Sequence, residues 1–212
     1  MAEIIPSINV DSFEEVTKRV RLVESYVSWV HLDVSDGIFT KHVSWHDPKD
    51  LIGFETPAKI EVHLMIDKPE KKIEEWLLTP ASRIIFHQEA TKSHDLIIKK
   101  IHEAKKEAGV AINPDTPWLK LFPYFSKVEL VQLLAVPPGP SGQKFDDSIF
   151  HKIGHVKHTC HPCIIEVDGG VNKENAKEIV KEGADILVAG KTLFINDNIE
   201  KNIQELLEST KN

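Results

Sequence analysis

Residues 27–37 read VSWVHLDVSDG. This run has the look of a β-strand, and its parity matters more than its composition. Val30, Leu32 and Val34 share one face, which is apolar, while His31 and Asp33 share the other. A strand carrying an apolar outer face and an ionisable inner face needs helices on one side and a polar interior on the other.

The rest of the chain supplies that setting. EIIPSI (3–8) precedes this strand, and KIEVHLMID (59–67), SRIIFHQEA (82–90), VAINPDT (110–116), VELVQLLAVPPG (128–139), CIIEVDGG (163–170) and DILVAG (185–190) follow it. Between these runs lie charged stretches with helical spacing. In 11–26 Phe13, Val16, Val20 and Val23 recur at three- and four-residue steps, with Asp11 as the expected cap. PEKKIEEWLLTPA (69–81) has proline near its start, residues 93–109 read as a helix stopping on Gly109, and residues 198–210 form a closing helix. Eight strand-like runs in βα alternation, with no linker between them, predict α/β architecture: a single-domain (β/α)8 TIM barrel over residues 1–212. An open doubly wound sheet is the structural alternative, but the first βα turn has no G-x-G-x-x-G. Residues 38–58 hold one brief helical piece near Pro48–Leu51 and otherwise read as a long βα loop, a place where barrels cover their sites.

Bulk properties narrow the class. The net charge of −7 argues against binding nucleic acid or an anionic membrane. No apolar run approaches a membrane span, and no signal peptide is read, so a cytoplasmic protein is expected. Cys160 and Cys163 form a C-x-x-C pair with His155, His158 and His161 nearby. A redox motif or half of a metal site is the alternative there, but without a second C-x-x-C the preferred reading is a helix end entering a strand, with two unremarkable cysteines.

Strand parity gathers the polar residues. Glu61, His63 and Met65 face inward from the third strand, Glu166 and Asp168 from the seventh, and Ser7 from the first. Ser7, Asp33, His63 and Asp168 fall toward strand C-termini, where barrel enzymes keep their sites, and His31 lies one step deeper. Strands two and seven lie across the barrel, so Asp33 and Asp168 approach the axis from opposite sides. Any one of these residues has a structural explanation. Together they are costly inside an apolar barrel unless paired or metal-bound. Two imidazoles and two carboxylates suit one divalent ion: Zn, Fe(II), Mn or Co. Three glycine-bearing loops, Gly139–Pro140–Ser141–Gly142, Gly169–Gly170 and Gly190–Lys191, follow strands six, seven and eight and point to a bound phosphate.

At these residues the chain resembles the ribulose-phosphate 3-epimerase family. IIPSI, HLDVSDG, EVHLMI, VAINPDTP, PGPSGQKF, EVDGGVN and GADILVAG are similar to family segments, in order, over nearly the whole chain. The resemblance implies that His31, Asp33, His63 and Asp168 hold the metal and that Asp33 and Asp168 are the two acid/base groups. It implies that Ser7, His31, His63, Met65, Gly139, Pro140, Ser141, Gly142, Gly169, Gly170, Gly190 and Lys191 meet a sugar-phosphate substrate. It also implies a homo-oligomer, dimeric or hexameric. Epimerisation at C3 of a 2-ketose takes a proton from one face and returns one to the other, which two opposed carboxylates accomplish. The chain departs from the family at Ser35 and Leu134, where methionine is usual, at Pro140, where an aromatic residue is usual, and at Lys191, where serine is usual.

The expected activity is therefore metal-dependent epimerisation of D-ribulose 5-phosphate to D-xylulose 5-phosphate. The alternatives are an epimerase for a hexulose 6-phosphate such as allulose 6-phosphate, or a phosphosugar-binding barrel without turnover. A related lyase or decarboxylase barrel would need a lysine between two aspartates, which Val34–Ser35 does not provide. His87 and Glu89 are lesser candidates that either border the substrate or simply finish the fourth strand, the second being expected. Trp29, Trp45, Trp76 and Trp118 are expected to pack, with Trp45 a candidate for a lid or subunit contact. The charge in residues 103–107 is read as a solvated helix face.

Overall fold

The computed structural model describes residues 2–160, 162–196 and 198–211. Eight parallel strands close into a barrel in sequence order, β1 to β8, with β8 returning to β1. The strands are β1 Glu3–Ile8, β2 Trp29–Ser35, β3 Lys59–Met65, β4 Arg83–His87, β5 Glu107–Ile112, β6 Leu130–Leu134, β7 Ile164–Asp168 and β8 Ile186–Ala189. The α-helices are α1 Phe13–Val23, α2 Pro48–Leu51, α3 Ile73–Leu77, α4 His94–Glu103, α5 Ile149–Thr159, α6 Ala176–Glu182 and α7 Ile199–Ser209. A 3₁₀ segment, Trp118–Tyr124, stands where a helix would follow β5. Among the described residues no helix is long and apolar enough to cross a membrane.

The core divides as strand parity requires. Val30, Leu32, Val34, Ile60, Val62, Leu64, Ile165 and Val167 join one apolar cluster with the inner faces of the helices. Ile5, Trp29, Ile85, Ala111, Leu130, Leu134, Ile186 and Val188 form a second cluster inside the barrel. In α1 the stripe Val16, Val20 and Val23 is buried, each side chain contributing on the order of 1.5–3 kcal/mol.

Several boundaries differ from the sequence reading. The helix expected over 69–81 is a 3₁₀ turn, Pro69–Lys71, followed by α3. Residues 103–107 are not a solvated helix face, since they leave α4 and enter β5, and Lys106 donates to the Thr79 and Ala81 carbonyls. The cap of α1 is Ser12, whose side chain accepts from the Glu15 N–H, rather than Asp11. Gly109 does not stop α4. That helix ends at Glu103, the chain turns through Lys105 at φ 59°, and Gly109 lies inside β5. A Cβ there would sit 2.8 Å from Ile85 Cγ1, so glycine permits the close approach of β4 and β5.

The tryptophans pack. Trp45 is buried edge-on against Trp76, with ring centroids 5.9 Å apart, and its indole N–H bonds Asp50. It is not exposed as a lid or contact residue. Trp118 stacks on His155. Cys160 and Cys163 lie, as expected, where α5 turns into β7, both buried, but they are joined to each other as a disulfide, which corrects the reading of two unremarkable cysteines. His161 lies outside the described residues. The groups of described residues able to hold an ion are both inside the barrel, away from this corner.

Candidate active site

Register places the ionisable side chains. Ser7 pairs with His31, His31 with Glu61, and Asp33 with His63 on adjoining strands, while Asp168 enters from β7 beside Leu134. All point inward because each sits on the face opposite the outer apolar residues of its strand.

Asp33 is the hub. Its Oδ2 accepts the Ser7 hydroxyl at 2.6 Å, and its Oδ1 lies 3.1 Å from His63 Nδ1 and 3.4 Å from His31 Nε2. His63 Nδ1 is also 3.6 Å from Asp168 Oδ2. One ligand atom from each of His31, Asp33, His63 and Asp168 lies within 4.8 Å of the others. His31 Nε2 is buried without a hydrogen-bond partner, while its Nδ1 is 2.7 Å from Glu61 Oε1. A proton on Nδ1, held by Glu61, leaves the Nε2 lone pair facing the cluster. Converging lone pairs of imidazole nitrogen and carboxylate oxygen fit a divalent transition ion.

The electrostatics separate the two aspartates. Burial acts to raise Asp33, but the facing imidazoles of His31 and His63 outweigh it and hold the carboxyl far below the usual range. Burial raises Asp168 too, and there the Asp33 charge adds to it, so Asp168 is pushed up to about 7. Burial takes His63 down to about 4. Burial also opposes charge on His31, yet Asp33 and Glu61 hold it well above an ordinary histidine, so an ion binding at Nε2 would take the place of a proton there.

Below this cluster lies a second polar layer. Glu61 Oε2 accepts from Arg83 Nη1 at 2.6 Å, and Arg83 also donates to Glu107 and sits 4.2 Å over the Trp29 ring. Glu166 and Gln132, paired in register, carry buried polar atoms without partners. Burial, reinforced by Glu61, pushes the Glu166 carboxyl well above the carboxylate range.

Above the cluster opens a pocket of about 470 Å³. Ser7, Asp33, Met65, Leu134 and Asp168 line its inner part, and residues 139–142, Gly169, Gly170, Gly190 and Lys191 line its mouth. The sequence-derived substrate group thus comes together, apart from His31 and His63, which lie behind Asp33, fully buried and outside the lining. Gly169 (φ 104°) and Gly170 (φ 66°) could carry no side chain, since a Cβ would meet Val136 at 2.5 Å or the Phe145 backbone at 2.9 Å.

Sequence reasoning passed over two features, Asn9 and Arg83, and underrated a third, His87. Asn9 donates to the Gly139 carbonyl at 2.9 Å and meets His42 Nε2 at 2.9 Å, tying the long loop after β2 to the loop after β6. Its one signal is a position two residues beyond Ser7. Arg83, the cation of the lower layer, carries no motif. His87 does more than finish β4: it is fully buried, with Nε2 2.8 Å from His63 Nε2.

Comparison with known proteins follows the same lines. The model of the Ribulose-phosphate 3 epimerase family matches residues 3–194. Ribulose-phosphate 3-epimerase of Bacillus subtilis is 33% identical over 213 residues, covering 97% of this chain and 98% of that protein. The protein of the same name from Schizosaccharomyces pombe is 31% identical over 219 residues, covering 98% and 93%. The crystal structure of 3-hexulose-6-phosphate synthase from Salmonella typhimurium superposes with a TM-score of 0.74 over 98% of each chain, at 10% identity, and so shares the fold alone.

Proposed function

The chain belongs to the ribulose-phosphate 3 epimerase family, and we propose that it interconverts D-ribulose 5-phosphate and D-xylulose 5-phosphate by proton transfer at C3. One observation carries this reading: Asp33 and Asp168 come from strands on opposite sides of the barrel and line the inner part of one pocket, whose mouth is built from glycine loops.

The ketose phosphate enters with its phosphate at the mouth. The loops of residues 139–142, 169–170 and 190–191 turn backbone N–H groups toward an anion, with Pro140 the one member that has none to give. Held there, the sugar places C3 between the two carboxyl groups, so binding energy far from the reacting carbon sets its position. One carboxylate removes the C3 proton, leaving an enediolate. The carboxyl group on the other side delivers a proton to the opposite face and inverts the centre. The Ser7 hydroxyl fixes the orientation of Asp33 through its 2.6 Å bond. Met65, Leu134 and Val136 give the pocket an apolar wall that keeps water from the intermediate. His31, Asp33, His63 and Asp168 would hold a divalent ion, which supplies Lewis-acid neutralisation of the enediolate charge.

The test is turnover of ribulose 5-phosphate, and separately of allulose 6-phosphate, in deuterated water by protein supplied with Zn²⁺, Mn²⁺, Co²⁺ or Fe²⁺. Solvent deuterium is expected at C3 of xylulose 5-phosphate. Exchange with allulose 6-phosphate alone would move the substrate to the hexuloses, and exchange with neither would remove the epimerase reading.

A further inference from the structure

Two nitrogens of different histidines lie within hydrogen-bond distance outside the ligand set. His63 Nε2 and His87 Nε2 are 2.8 Å apart, both residues are fully buried, and the ring planes differ by only 22° at a centroid separation of 5.0 Å. This is edge-to-edge contact of nearly coplanar rings, the geometry of an N–H···N bond. On its other side His87 Nδ1 lies 3.3 Å from Glu89 Oε2. Glu89 is anchored in turn, since its Oε1 accepts the Asn113 backbone N–H at 2.8 Å and the Thr116 hydroxyl. Phe39, from the long loop after β2, covers the His87 ring at 4.8 Å.

Two neutral rings carry two protons for the three contacts Glu89–His87, His87–His63 and His63–Asp33, so the order is fixed once a divalent ion takes the place of a proton between His63 Nδ1 and Asp33. A carboxylate only accepts, so His87 presents Nδ1–H to Glu89. A neutral imidazole has one N–H, so His87 Nε2 carries a lone pair and His63 must donate Nε2–H to it. Neutral His63 then has its lone pair on Nδ1, the nitrogen 3.1 Å from Asp33 Oδ1 and 3.6 Å from Asp168 Oδ2.

We propose that His87 and Glu89 are positioning residues which fix the tautomer and ring plane of His63, so that its Nδ1 lone pair faces the Asp33–Asp168 pair. This rests on the reading that the cluster holds a divalent ion. The relay reaches that cluster through one imidazole and joins it to the loops after β4 and β5.

Glu89→Gln gives a directional test. Its side-chain oxygen must remain where Asn113 and Thr116 donate, so its NH₂ group faces His87 Nδ1. His87 then accepts there, donates from Nε2, and drives His63 to the Nδ1–H tautomer. Side-chain ¹⁵N–¹H correlation NMR on the full chain, saturated with Zn²⁺, reads the tautomers directly. His63 is expected to carry its proton on Nε2 in the natural protein and on Nδ1 in the variant. Co²⁺ affinity, measured by chelator competition, is expected to fall roughly 10–100-fold in the variant. A natural His63 protonated on Nδ1, or a tautomer unchanged by Glu89→Gln, overturns the relay; the first of these needs no variant to fold. If the natural protein binds neither Zn²⁺ nor Co²⁺, the metal reading falls and takes the relay with it; if it binds both and the tautomers differ from these, the relay alone falls.

Discussion

Two ionic layers share the inside of this barrel, and His31 belongs to both. In the lower layer Arg83 is shared between Glu61 and Glu107, and Glu61 also receives His31. The Glu61 charge there is answered by Arg83, and burial opposes any charge on Glu166. In the upper layer, among the described residues, Asp33 and Asp168 have ion-pair contacts with histidines alone. Burying carboxylates without a lysine or arginine is unfavourable unless something else meets the charge. Residue types and burial are similar in the two layers, so the difference lies in compensation. A compensated layer holds the barrel together, and an uncompensated one is kept for what it binds and does.

The largest expected effect breaks the upper layer at one point. Asp168→Asn removes one of the two acid/base groups while leaving a side chain of nearly equal shape. Deuterium exchange at C3 of the sugar phosphate should fall by about 10²–10⁴-fold. Because no Lys or Arg partner is lost, thermal unfolding in the presence of chelator should be unchanged or slightly later. A marked early shift of that transition would show the upper layer to be structural as well and erase the contrast.

The next effect is on stability and belongs to the lower layer. Arg83→Met leaves Glu61 buried without its cation, a change worth about 3–5 kcal/mol in unfolding free energy. Urea unfolding measures it. Adding Glu61→Gln should recover a large part of that loss, because glutamine still accepts from His31 Nδ1–H and brings no charge. Glu61 also orients the ligand His31, so turnover per folded molecule is compared at saturating divalent ion, where the double variant should stay within a few-fold of the natural protein. Loss of turnover without loss of stability would place Arg83 in the chemistry and overturn the division.

The upper layer could be read from sequence, and the lower one could not, for a physical reason. Parity in β2, β3 and β7 is unbroken, so alternation alone set His31, Asp33, His63 and Asp168 on the inner face, and strand order brought them together. Glu61 and Glu166 were placed inward by the same rule, but what they meet depends on Arg83, 22 residues from Glu61 with no spacing that marks the pair. His87 and Glu89 were misjudged because their partners, His63, Asn113 and Thr116, sit on other strands and loops. Gly109 was misread because glycine signals both a helix stop and a close strand approach. Only the contact with Ile85 distinguishes them.

The smallest expected effect sharpens the contrast at the pocket mouth, at the exposed Lys191. The Lys191 side chain is exposed and lies along the loop after β6: a Cβ on Gly142 would be 3.3 Å from Lys191 Cδ and 3.9 Å from its Nζ. Its ammonium therefore stands over the loop that would receive the phosphate. An exposed cation acts through a screened field, worth about 1 kcal/mol or less. Lys191→Met should accordingly raise KM for ribulose 5-phosphate by roughly fivefold or less and leave kcat nearly unchanged, since the reacting carbon is held elsewhere. Because the attraction is screened, the difference between variant and natural protein should shrink as salt is raised. A salt-independent KM difference, or a fall in kcat of the size expected for Asp168→Asn, would mean that Lys191 acts at the reacting end of the substrate rather than on its phosphate.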